Sequence, residues 1–105
     1  MTLLGLGRYS EPALLVLVSL LGGPKHGYGI SDDILSMTGR RPGPGTLYGA
    51  IGRLEESGLI CALPGDGRRK PYELTAAGRS EVLRELKWLE GITREGTRRL
   101  EGQPE

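Results

Sequence analysis

"RRPGPGTLYGAIGRLEESGLI", residues 40–60, joins two kinds of sequence. It opens with paired arginines and a Pro/Gly turn, then runs on as a helix that begins near Gly45 and ends at Gly58. At 100° per residue Leu47, Ile51 and Leu54 fall on one side and form a buried stripe. The other side is nearly bare: Gly49, Ala50 and Gly52 stand where long polar side chains would stabilise a helix better. An interior glycine costs roughly 1 kcal/mol against alanine. A helix that gives up stability on its outer face is suited to lying very close to something else.

Working outward, the apolar run 13–21 predicts a first helix, capped by Ser10 with Glu11 and Pro12 in its first turn. Being apolar almost all round, it belongs at the centre of a core. Gly22-Gly23-Pro24 stops it. A second helix is expected over 27–37, with Tyr28, Ile30, Ile34, Leu35 and Met37 on or near one face and Gly39 at its end. Beyond Gly58, residues 59–63 and 71–74 read as two strands around "PGDGRRK" (64–70), a hairpin with three consecutive cations. Thr75 then caps a long fourth helix from Ala76 to about Arg94 or beyond, with Val82, Leu86 and Leu89 at 4-3 spacing. Residues 1–9 and 101–105 are expected to be flexible termini.

Composition narrows the function classes. The 105 residues are enough for one domain with a modest core. Basic and acidic residues nearly balance, 14 against 13. However, residues 34–72 hold six basic groups and three acidic ones, a local surplus of three that leaves −2 for the rest. This favours a positive patch over a basic protein. The single Cys61 excludes an internal disulfide and suits a cytoplasmic setting. The apolar run 13–21 is too short for a bilayer, which needs ~20 residues. His26 is the only histidine, so no histidine metal cluster exists, and it is expected to shape the turn into the second helix. "GPGTLYG" lacks the Lys-Ser/Thr ending of a phosphate-binding loop. Neither an enzyme nor a cofactor is expected.

Helix, helix, helix, hairpin, helix is the layout of a winged helix-turn-helix. The expected fold is mostly α with a small β-hairpin: a winged helix-turn-helix over 10–75 plus a C-terminal dimerisation helix over 76–100. Three segments in register, "GPKHGYGI" (23–30), "GPGTLYGAIGRLEESGLI" (43–60) and "RRKPYELTAAGR" (68–79), resemble the PadR-like transcriptional regulators. Gly45, Thr46, Leu47, Tyr48, Arg53, Leu54, Gly58 and Leu59 match the family's recognition-helix pattern; Tyr72, Leu74, Thr75 and Gly78 match the end of the wing and the start of the last helix. The resemblance implies a dimeric DNA-binding protein, usually a repressor that responds to a small ligand, and short members dimerise through their terminal helices.

Candidate residues follow. The major groove of B-DNA admits a helix, and Gly45 and Gly49 would let the backbone approach it. Thr46 and Tyr48 offer hydroxyls there, and Arg53 a fork for phosphate or guanine. Arg40 and Arg41 precede the helix, while Arg68, Arg69 and Lys70 on the wing would reach phosphates or a minor groove. Glu55 and Glu56 turn the far end of the helix away from the duplex. Val82, Leu86, Trp88, Leu89 and Ile92 are the candidate dimer interface, and Trp88 a candidate ligand contact for a small aromatic or apolar effector. The expected partners are double-stranded DNA and a second copy of the chain. The alternatives are a winged-helix protein-interaction module and a small-molecule-binding protein without DNA binding.

Overall fold

The structure, a computed structural model, describes residues 10–65 and 69–103. Helix α1 (Ser10–Leu20) is the hub. Ala13, Val16, Leu17 and Leu20 are buried, and Leu14, Leu15, Val18 and Leu21 pack on the same cluster from half-buried positions. Ser10 is already helical; its side chain, and with it the expected cap, lies outside the described residues.

Helix α2 (Gly27–Thr38) contributes Ile30 and Ile34 to the core and closes with the Gly39 N–H on Leu35 O, 2.8 Å. The broader face expected for it does not exist. Tyr28, Leu35 and Met37 are exposed, because Tyr28 and Leu35 stand more than ~130° around the helix from Ile30, and Met37 sits in the last turn, past the core.

Helix α3 (Pro44–Glu56) starts with proline at its first position and buries Leu47, Ala50, Ile51 and Leu54. Ala50 is 4% exposed and faces α1's side of the core, so the bare outer face is made by the glycines alone. The helix ends in a Schellman motif: Leu59 N–H bonds Leu54 O at 3.0 Å and Gly58 N–H bonds Glu55 O at 3.1 Å. Gly58 holds φ of 77°, left-handed backbone that a residue with a Cβ adopts only at a cost.

Strands β1 (Ile60–Ala62) and β2 (Tyr72–Leu74) pair antiparallel with Ile60 opposite Leu74 and Ala62 opposite Tyr72. They are shorter than the apolar runs suggested. The Leu63 N–H continues the ladder to Pro71 O at 2.8 Å, which asks proline only for its carbonyl. On its other edge Tyr72 exchanges both backbone bonds with Lys25, at 2.9 and 3.1 Å. The segment before α2 thus serves as a third, one-residue strand, which ties the hairpin to the helix-turn-helix.

Helix α4 (Ala76–Glu101) is capped by Thr75, whose Oγ1 accepts from Gly78 N–H at 3.0 Å and donates to Gly58 O at 2.7 Å. Gly78 is buried, and a Cβ there would collide with the Leu59 carbonyl oxygen. The helix passes through Gly91 and Gly96 without a break. Glu101 is its last residue, not the start of a loose tail. Gly78, Val82 and Glu85 are its buried positions. Twenty-six residues span roughly 39 Å, so the second half projects from a molecule 59 Å long and 27 Å across.

Candidate nucleic-acid interface

The α2–turn–α3 unit presents α3 with its stripe on α1 and its glycine face outward. No atom would lie within 4 Å of a Cβ at Gly45 or Gly52, and at Gly49 it would meet only the Arg53 guanidinium, at 3.2 Å. That side of the helix is open space down to the backbone. Its N-cap, Gly43, brings no capping side chain, so the first amides of α3 keep their capacity for an anion. Thr46 is exposed next to them.

Tyr48 is also exposed, but its ring packs over the backbone of Gly27, where a Cβ would strike it. It therefore braces the start of α2 against α3, with its hydroxyl end nearest to Gly27. Burial raises the Tyr72 phenol above its ordinary value, and Glu55 and then Tyr48 add to it. Arg53 donates to Gly49 O at 3.1 Å and lies along the helix instead of reaching outward.

The paired arginines behave differently. Arg41 is engaged: Nη1 bonds Asp32 at 2.6 Å and the buried Ser31 hydroxyl at 3.0 Å. Asp32 had no signal in the sequence, since nothing in its spacing tells which arginine of the next turn it would meet. The Arg40 guanidinium has no hydrogen bond or ion pair among the described residues. On the wing, Arg69 and Lys70 are exposed; Arg68 lies outside the described residues. Glu55 and Glu56 are exposed at the far end of α3. His26 occupies the N-cap position of α2 without a side-chain capping bond and stacks on Tyr28, ring centroids 5.3 Å apart.

Residues 14–84 match the family described as "Transcriptional regulator PadR-like family". The chain belongs to the PadR-like family. Among related sequences, a transcriptional regulator of Mycobacterium tuberculosis is 40% identical over 73 residues, covering 67% of both chains. A protein encoded in a transposon of Streptomyces fradiae is 46% identical over 78 residues; the match covers 74% of this PadR-like chain but only 23% of that longer protein. A transcriptional regulator from Clostridium thermocellum superposes with a TM-score of 0.73 at 27% identity, over 83% of this chain and 87% of its own. A PadR-family regulator from Clostridium difficile gives 0.75 at 24% identity, over 85% and 97%. This PadR-like regulator thus has the winged helix-turn-helix fold of its family. The family is one of transcriptional regulators, and so is the Mycobacterium tuberculosis relative.

Away from the glycine face, the candidate dimer residues divide. Val82 is fully buried in the protomer's own core, which removes it from any surface a partner would touch. Leu86, Trp88 and Ile92 are 38%, 48% and 50% exposed, and Leu89 is half-buried. Leu83, also exposed, escaped notice because it lies off the 4-3 line, whereas Leu100 continues that spacing and is exposed too. Among the described residues no helix is long and apolar enough to cross a membrane, and no group of His, Cys, Asp and Glu is placed to hold a metal ion.

Proposed function

We propose that this PadR-like regulator is a cytoplasmic, homodimeric, sequence-specific DNA-binding protein that acts as a ligand-responsive repressor. The observation that carries the reading is the face of α3. A helix open to its backbone at Gly45 and Gly52 is preceded in the chain by Arg40, whose guanidinium has no partner among the described residues, and followed by the exposed wing cations Arg69 and Lys70. Helix α3 enters the major groove, its uncapped first turn meets a phosphate, and the wing lies on the neighbouring backbone. Few side chains on this face reach base edges, so DNA shape and wing contacts carry much of the sequence preference. Arg41 positions the turn through Asp32 instead of giving its charge wholly to DNA.

The test is binding to genomic fragments that include the gene's own upstream region, followed by fluorescence anisotropy over a range of salt. Affinity should fall steeply as salt rises, because condensed counterions are released on binding. Salt-independent association, or none, would overturn the reading.

A further inference from the structure

Between the first turns of α1, the end of α2 and the start of α3 lies a cleft of about 410 Å³. Small-molecule sites run from about 300 to 1,000 Å³, so the volume suits a compact ligand. Its floor is apolar and preformed: Ile34 and Leu47 belong to the core, and Leu15 is half-buried against it. Its polar lining is Glu11, Thr38, Arg40, Arg41 and Thr46. We propose that this cleft binds a small hydrocarbon carboxylate and that the bound carboxylate takes Arg40 and the first turn of α3 away from DNA.

Two independent features select the anion. Of the two arginines on the turn, Arg41 is committed to Asp32 and Ser31, whereas Arg40 has no partner among the described residues. A carboxylate accepts two parallel bonds from a guanidinium. Gly43 also lines the cleft and leaves the first amides of α3 without a side-chain cap, so the helix end adds to the attraction for negative charge. The hydrocarbon body follows from the floor. Glu11 opposes a second anion, which limits the ligand to one carboxylate and keeps affinity modest.

The site is distinct from the Trp88 face of α4, which shares none of these residues. It also differs in consequence. A ligand on α4 would change the spacing of two protomers, whereas this one competes for the groups that would meet phosphate. The ligand's binding does not depend on the DNA reading; only its effect on DNA does.

Octanoate, with octanamide as its uncharged counterpart, tests the site without DNA. In amide-resolved NMR titrations octanoate should saturate, shift the signals of Arg40, Thr46 and Leu47, and bind about tenfold tighter than octanamide. Arg40→Gln should erase that preference and Glu11→Gln should enlarge it, while the fluorescence of Trp88, the only tryptophan, stays unchanged. Absence of saturation at millimolar octanoate, equal affinity for the amide, or an Arg40-independent response at Trp88 would each overturn the proposal. In the anisotropy assay octanoate should weaken DNA binding and octanamide should not. A bound octanoate that left DNA affinity untouched would overturn the competition.

Discussion

Single residues decide what each helix can approach. Gly78 is the clearest case, because the atom in its way is backbone: Leu59 O cannot turn aside without breaking its bond from Thr75 N–H, 3.1 Å. Gly78→Ala should therefore destabilise the protein by roughly 1–3 kcal/mol, seen as a lower urea midpoint at unchanged slope. Gly52 is the opposite case, with open space where its Cβ would be. Gly52→Glu should leave stability equal or raise it by about half a kcal/mol, since glutamate is the better helix former. It should nevertheless weaken DNA binding about tenfold or more, because like charges brought face to face cost several kcal/mol. Thermal melting and anisotropy on the same variant separate the two effects. A folded variant that binds as well as the parent would remove α3 from the groove. Gly49 makes a poorer probe, because a side chain there would also disturb Arg53.

At the scale of elements, the helices were legible because their signals are local. Leu47, Ile51 and Leu54 share a stripe, Gly39 and Gly58 end their helices, and Thr75 caps α4, all within a few residues of chain. What the sequence did not disclose depends on distant partners. The Lys25–Tyr72 pairing and the Arg41–Asp32 latch join segments that no periodicity relates. Ala50 looked like part of the bare face because its place in the core cluster, beside residues of α1 and α2, has no signature in residues 40–60. The wing behaves as an element of its own. Replacing Arg68, Arg69 and Lys70 by alanine should leave melting unchanged and flatten the slope of log K against log salt by about two to three. An unchanged slope would place the wing off the DNA. The end of α4 is held by Glu95, which accepts from Arg98 and, at 2.7 Å, from Arg99. Those bonds, Arg98 first, lower the Glu95 carboxyl from its ordinary value. A carboxyl lowered in the folded state gives stability that is complete above its unfolded range and lost as pH falls through the lowered value. Acid should therefore fray the last turns of α4 before the core melts, seen as helix-specific loss of amide protection below the ordinary glutamate range. Glu95→Gln should abolish that pH step.

The whole molecule is a winged helix-turn-helix with half a helix left over. The buried line on α4 runs Gly78, Val82, Glu85 and continues at the same 4-3 spacing through Leu89, Ile92 and Gly96. The sequence suggested a seam through Leu86, which the structure shows displaced to its edge. No residue of α4 after Glu85 is buried, yet Trp88 and Ile92 keep their apolar surface. An isolated helix of this length is marginal in water, so the projecting half needs cover. A two-fold partner supplies it, since the same face serves both chains. The arrangement also sets two α3 helices for half-sites about one DNA turn apart. Leu89 is an ambiguous probe, because it is half-buried against its own protomer and Leu89→Asp would injure the fold as well. Ile92 lies clear of the core. Ile92→Asp should leave the melting of the winged domain largely intact and convert dimers to monomers, because a carboxylate desolvated at the seam has no partner. Loss of the second half-site should then cost about 10²-fold or more in affinity for an operator, the factor that linkage contributes. Sedimentation decides between the cases. A parent protein that runs as a clean monomer at tens of micromolar would remove the partner, and with it the two half-sites, whatever the single helix does on DNA.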